Sequence, residues 1–371
     1  MRGIRGVMGA SWDLGDGKVC DGGRGGRGSE VGGPAQAVRV RRSPMLSSDA
    51  QDRKLTPPPS WMPSARLRAT FRRRRRRRTY RTWGSGTLRK RRPKGTGGRM
   101  RVGLTGGTGY IGSAVGEALK AAGHEVLALA HRPGAEADFT ARGWTALTGD
   151  LKDPQSLRRL AREAEALVHA GAVKGPDTAE VDVQGTRTLL EALEDSRKPF
   201  IYTSGLWVLG NGESDEGSDP RPLELVAWRA GLEREVLEYG GRDVRTVVLR
   251  PGMAWGHGGG VPGQMGAGKL PVVGDGSQRW SMVHVEDLAD LYARALSVPT
   301  GTILHGVTDV ATAARVAEVS RQEAGREEPL TYLPLAQARE AMGPFADALA
   351  ADQVVSSSST RNRTKWAPER T

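Results

Sequence analysis

The stretch MRVGLTGGTGYIG (residues 100–112) decides how the rest of the chain reads. MRVGLT is short and apolar, as a buried strand requires. Gly106, Gly109 and Gly112 follow at GxxGxxG spacing. Ile111, Ala114, Val115, Ala118, Leu119 and Ala122 then recur at helical spacing until Gly123 stops the helix. Glycines between a strand and a helix have a physical use here. The first permits the tight turn, the second lets the backbone approach a pyrophosphate, and the third lets the helix pack on the sheet. The N–H groups at the helix start, near Tyr110 and Ile111, then face the phosphates. The expectation is a dinucleotide cradle built from Gly106, Gly109, Tyr110, Ile111 and Gly112.

Downstream the same rhythm continues. EVLALA (125–130), WTALT (144–148), ALVHA (166–170), PFIYTS (199–204) and RTVVLR (245–250) read as strands. Helical spacing separates them over 156–163, 178–194 and 225–238. Strands alternating with helices predict an α/β fold: a doubly wound parallel sheet of the Rossmann type, covered on both faces. The dinucleotide-binding core spans about 100–250 on this reading. A Gly-rich stretch after Pro251 leads into a smaller C-terminal substrate lobe, 251–371, with helices near 286–297, 312–324 and 334–349.

The end of the second strand bears on which dinucleotide is taken. An acid there would bind a ribose 2′-hydroxyl, whereas an arginine accepts a 2′-phosphate. The chain offers Ala130, His131 and Arg132 with no acid. NADP is the expected cofactor, with NAD as the alternative; the competing reading of Arg132 is a solvated loop arginine.

Composition divides the chain at the same place. Residues 1–99 carry 26 basic and 6 acidic side chains, a balance of +20, whereas the whole chain stands at +13. The remainder is therefore mildly acidic, and whole-chain charge is no argument for nucleic-acid binding. Glycine supplies 17 of these 99 residues, and no periodicity persists, so disorder is expected for 1–99. The run Arg72 to Arg78 would bind any polyanion. Three readings stand for this extension: a nucleic-acid-binding arm or nuclear address, an organelle transit peptide, or sequence upstream of a native start at Met100. Nucleic acid is a partner only through this segment. Cys20 is the only cysteine, which excludes an internal disulfide, a cysteine-rich zinc site and a cysteine nucleophile in the body. No metal site is expected. No apolar run approaches the roughly 20 residues that cross a bilayer, and no secretory signal is recognisable, so the expected compartment is the cytoplasm.

TGGTGYIG, GDLKD (149–153), LVHAGAVK (167–174), VDVQGT (181–186), FIYTSG (200–205), LRPGMAWG (249–256) and GDGSQRWSMVHVEDLADLY (274–292) occur in the order of the extended short-chain dehydrogenases/reductases. The chain resembles their NAD(P)-dependent epimerase/dehydratase group across 100–371. The resemblance implies that Asp150 and Leu151 hold the adenine. It also implies that Ala170, Gly171 and Ala172 let the cofactor lie close, that Lys174 stands near the dinucleotide, and that Pro251 lies beside the nicotinamide end. Asp287 falls in the VHVxDLA signature, where an acid is also simply a helix cap. Arg279 matches an arginine that related epimerases place on nucleotide-sugar phosphates; a solvated loop arginine is the rival reading. A small-molecule substrate is implied, and a second copy of the chain is a candidate partner.

The resemblance weakens at the chemistry. The family relies on a Ser/Thr and a Tyr-x-x-x-Lys pair, the tyrosine exchanging the hydroxyl proton. Aligning Glu235 with the glutamate that follows the lysine puts Ala227 at the tyrosine place and Gly231 at the lysine place. Gly205 falls at the serine place, and Ser204 is the nearest hydroxyl, read either as catalytic or as a strand-end residue bonding backbone. Arg229 reads as a solvated helix arginine ahead of an anion-binding one, and His284 as a packed histidine ahead of a catalytic one. Two functions follow: an NAD(P)-dependent oxidoreductase or epimerase/dehydratase-like enzyme acting on a hydroxyl/carbonyl or nucleotide-sugar-type substrate without the usual Tyr–Lys pair, or a non-catalytic NADP(H) sensor or scaffold.

Overall fold

A computed structural model describes residues 98–370. The expected disorder of 1–99 falls outside the described residues, apart from Gly98 and Arg99. From Arg101 the chain alternates as β1 (Arg101–Thr105), α1 (Tyr110–Ala121), β2 (Glu125–Ala130), α2 (Ala135–Ala141), β3 (Thr145–Thr148), α3 (Pro154–Glu163) and β4 (Ala166–His169). It continues as α4 (Thr178–Glu191), β5 (Pro199–Thr203), β6 (Gly212–Ser214), α5 (Ala227–Glu238) and β7 (Arg245–Pro251).

Seven strands form one parallel sheet in the order β11-β7-β5-β4-β1-β2-β3, where β11 is Thr302–Gly306. Alternation along each strand explains why both faces are covered. Val102, Leu104, Val126, Ala128, Val168, Ile201, Val247 and Leu249 share one core with Val115 and Leu119 of α1. Leu127, Leu129, Leu147, Leu167, Phe200, Tyr202 and Val248 share the other with Leu157 and Leu160 of α3 and Leu232 and Val236 of α5. Strand order reverses between β1 and β4, and such a switch point opens a crevice at the carboxyl ends of the strands.

The second lobe is built from β8 (Met253–Trp255), α6 (Gly260–Gly266), β9 (Val272–Val273), β10 (Arg279–His284) and α7 (Val285–Ala295). After β11 come β12 (Asp309–Thr312), α8 (Ala313–Glu323), β13 (Tyr332–Leu333), α9 (Leu335–Met342), α10 (Phe345–Ala350), β14 (Gln353–Val355) and α11 (Ser358–Thr364). α7 packs along α1, tying this lobe to the nucleotide half. Two differences from the sequence reading have clear causes. The single helix expected over 334–349 is two, because Gly343 adopts φ +57° and Pro344 follows it. The Gly-rich stretch after Pro251 contains α6, whose buried Val261 and Met265 join the lobe's own core. Among the described residues no helix is long and apolar enough to cross a membrane.

Candidate functional site

At the switch point the glycines are sterically required. Gly106 follows β1 with φ +75°, and a Cβ there would stand 2.4 Å from the Ala170 carbonyl oxygen, just past β4. A Cβ on Gly112 would stand 2.0 Å from the Gly106 carbonyl oxygen, and one on Gly171 3.0 Å from Gly106 N. Gly109 caps α1 without a side-chain hydrogen bond, and the first turn of α1 carries no acid. The start of this helix is therefore left to an anion. These observations fit a pyrophosphate, the group for which the sequence proposes Gly106, Gly109, Tyr110, Ile111 and Gly112. Tyr110 does more than open the helix. Its hydroxyl donates to the Gly256 carbonyl at 2.8 Å, while Gly259 and Gly260 lie against its ring. The second lobe is thereby pinned over the cradle.

The remaining proposed cofactor residues line the same sheet edge. Gly171 and Ala172 follow β4, Ala170 packs against the core, and Leu151 approaches Gly171 from the loop after β3. Asp150 accepts a hydrogen bond from Lys152 N at 2.8 Å. Lys174 lies in the loop between β4 and α4, and Pro251 ends β7 in register with Gly306. Arg132 stands just past β2, half exposed, and donates to Asp138 at 2.9 Å. A 2′-phosphate would compete with that carboxylate.

The carboxyl end of β5 carries a polar chain that the sequence reading did not assemble. Thr105 Oγ1 accepts from Gly171 N at 3.1 Å and bonds His169 Nδ1 at 2.7 Å. His169 Nε2 donates to Asp182 Oδ1 at 3.0 Å, and Tyr202 donates to Asp182 Oδ2 at 3.0 Å. Arg229 Nη2 stands 3.4 Å from the same carboxylate, and its Nη1 donates to the Thr203 carbonyl at 3.0 Å. Burial pushes the Asp182 carboxyl up, but the His169 hydrogen bond and the charges of His169 and Arg229 outweigh it and hold it below the usual range. Burial pushes the hydroxyls of Tyr202 and Tyr292 up, so both stay protonated. Tyr292 donates to Thr203 Oγ1 at 2.8 Å.

The sign of the Asp182 effect gives a test. Its folded value lies below the unfolded one, so its contribution is complete above the ordinary carboxylate range and lost as pH falls through the folded value. Asp182→Asn is expected to cost about 1–3 kcal/mol at neutral pH. The gap in melting temperature from the parent should narrow only as pH falls through and below the ordinary carboxylate range. A gap that widens on acidification would contradict the assignment.

Arg229 corrects the expectation of a solvated helix residue: its side chain is only 16 % exposed. The face of α5 explains why. Ala227 and Gly231 lie on the exposed face with Arg234 and Glu238, whereas Glu233 is buried and clasps Arg250. Arg250 Nη2 donates to Glu233 at 2.6 Å and Nε at 3.0 Å. Glu235 instead pairs with Arg187 near the surface. Counting from the buried Glu233 places Arg229 at the lysine position and Leu225 at the tyrosine position.

Ser204 continues β5 through its N–H to the Leu249 carbonyl, but its Oγ is buried without a hydrogen-bond partner. It does not bond backbone as the strand-end reading had it. In front of Gly205 a Cβ would meet nothing within 4 Å. Arg279 opens β10 and donates to Asp352 from Nε and Nη2, at 3.0 and 2.7 Å. Both residues line a cavity of about 430 Å³ in the second lobe. His284 is a packed histidine, with its Nδ1 accepting from Glu286 N and its ring edge-on to Trp255. Asp287 accepts from Arg370 N and Nη1 and so holds the C-terminal segment, while Trp366 donates to the Asp287 carbonyl.

Known proteins resemble this chain in sequence and in fold. The sequence pattern of the NAD dependent epimerase/dehydratase family matches residues 102–305. An uncharacterized protein of Saccharomyces cerevisiae is 32 % identical over 290 residues, covering 73 % of this chain and 95 % of its own length. A 2-alkyl-3-oxoalkanoate reductase of Stenotrophomonas maltophilia is 30 % identical over 213 residues, 51 % of this chain and 63 % of that protein. A UDP-glucose 4-epimerase structure from Thermus thermophilus, in complex with NAD, superposes with a TM-score of 0.59 at 24 % identity, covering 73 % and 95 % of the two chains. A dTDP-glucose 4,6-dehydratase from Streptomyces venezuelae gives a TM-score of 0.62 at 22 % identity over 73 % and 93 %. With the cradle, the sheet order and the family pattern in agreement, the chain belongs to the NAD-dependent epimerase/dehydratase family.

Proposed function

We propose that the chain is an NADP-dependent oxidoreductase that reduces a small carbonyl substrate, or oxidises the corresponding alcohol, without the tyrosine–lysine pair. The observation that carries the dinucleotide half is the cradle at β1 and β4, where a Cβ on Gly106 or Gly112 would run into backbone oxygen. When bound, the nicotinamide supplies hydride exchange; the protein supplies orientation and charge. Gly106, Gly109, Tyr110, Ile111 and Gly112 hold the pyrophosphate, Asp150 and Leu151 the adenine end, and Ala170, Gly171, Ala172, Lys174 and Pro251 the path to the nicotinamide. Ser204 is the candidate hydroxyl for the reacting end, and Arg279 the candidate for an anionic substrate group. The inward row of α5 offers Arg229 and no tyrosine.

Arg132 carries the preference for NADP. A charge-assisted contact to a 2′-phosphate is worth about 1.5–3 kcal/mol, or roughly tenfold to a hundredfold in affinity. Fluorescence titration is expected to show NADPH binding more tightly than NADH, with Arg132→Ala removing most of the difference. Equal affinities in the parent would refute the assignment. NADPH oxidation is then followed with ethyl acetoacetate, chosen because the bacterial relative's name describes a 3-oxoalkanoate, and with UDP-glucose. Tight NADPH binding with no turnover on either would favour a sensor.

A further inference from the structure

The hydrogen-bonded chain at the end of β5 ends on a cation whose role the family resemblance leaves open. A guanidinium has five N–H donors. Arg229 spends one on the Thr203 carbonyl and points another at Asp182 from 3.4 Å, beyond the 2.7–2.9 Å typical of a tight charge-assisted bond. Its plane also faces the Trp228 ring, 4.6 Å from the centroid, which limits its rotation. Asp182 is itself fixed by His169 and Tyr202. The guanidinium is therefore held in one orientation and partly dehydrated. It is anchored on Thr203, two residues before Gly205, where the backbone faces open space. Burial pushes the nearby Tyr202 and Tyr292 hydroxyls up, away from the range of an easy proton donor.

We propose that Arg229 is an oxyanion-binding catalytic residue: it receives the oxygen of the substrate carbonyl, and Asp182 is the positioning residue that holds it there. This rests on the hydride-transfer reading above. Delivery of hydride to the carbonyl carbon drives the C=O π pair onto oxygen, where the guanidinium takes up the charge. Water supplies the proton, giving the alcohol and one equivalent of oxidised dinucleotide. Arginine fits the first task because it stays protonated, and for the same reason it cannot be the proton donor. A preorganised donor of this kind is worth about 10²–10³-fold in rate.

The test uses the full chain with Arg229→Met, Arg229→Lys, Arg229→Ala and the charge-balanced double variant Arg229→Met with Asp182→Asn, which leaves no buried carboxylate unpaired. Hexanoate, an unreactive carboxylate, is titrated by calorimetry with and without NADPH. The expected result is binding to the parent, at least tenfold weaker in both methionine variants and partly kept in Arg229→Lys, while NADPH affinity stays within about twofold. With ethyl acetoacetate, Arg229→Ala is expected to lose about 10²–10³-fold in kcat with little change in KM, and millimolar methylguanidinium is expected to restore part of it. Unchanged hexanoate affinity in the folded double variant, or no hexanoate binding by the parent, would overturn the proposal. A parent that binds hexanoate through Arg229 but binds no NADPH would instead overturn the hydride-transfer reading.

Discussion

Replacing Gly112 by alanine is expected to abolish useful dinucleotide affinity, weakening NADPH by about two orders of magnitude while leaving a folded protein. The added carbon would lie 2.0 Å from the Gly106 carbonyl oxygen and 2.6 Å from its carbonyl carbon. Both are backbone, so relief requires the turn after β1 to move away from α1. That movement displaces the N–H groups that a phosphate would meet. Overpacking typically costs about 1–3 kcal/mol of stability, small beside the loss of binding. Paired fluorescence titration and thermal melting separate the two effects. Retained NADPH affinity with an unchanged melt would show that the phosphates do not sit on this turn.

Breaking the Arg250–Glu233 pair is the substitution expected to hurt stability most. The two side chains are 1 % and 3 % exposed and share three hydrogen bonds. Arg250 also contacts His305 Nε2 at 3.3 Å, joining β7, α5 and β11. Arg250→Met leaves Glu233 charged and unpaired inside the protein, at a cost of about 3–5 kcal/mol. Arg250→Met combined with Glu233→Leu removes both charges and is expected to recover most of that loss, because a buried pair contributes little over well-packed apolar side chains. Denaturant melts of the single and double variants decide it. A double variant as unstable as the single would show that volume, not charge, sets the cost.

What could be read from the chain alone follows the range of the physics involved. The cradle depends on glycines within seven positions of one another, and their reason is local: Gly106 needs a positive φ and Gly112 needs room. The inward face of α5 is not local. Glu233 and Glu235 lie two residues apart, on different faces of the helix, and either can be matched to one family glutamate. The choice belongs to Arg250, which lies seventeen residues beyond Glu233 on β7. Matching Glu235 puts Ala227 and Gly231 at the family positions and leaves Arg229, which the structure buries beside Asp182, off that row. The Asp182 chain was likewise invisible, since it joins β1, β4, α4, β5 and α5 through side chains far apart in sequence. The break at Gly343 and Pro344 escapes the helical spacing of 334–349, although a glycine followed by proline rarely lies inside one helix.

Strand β11 gives the chain an order of completion. It pairs with β7 from Thr302↔Val247 to Gly306↔Pro251, but it emerges from the ribosome only after β8, α6, β10 and α7 have been made. Throughout that interval the apolar strand RTVVLRP presents an unpaired edge, the kind of surface on which nascent chains stick to one another. The lobe is thus threaded into the sheet and cannot be trimmed away as an appendage. A ribosome stalled before Gly306 would hold a sheet with one open side, and vectorial synthesis makes this the moment at which a chaperone has most to protect.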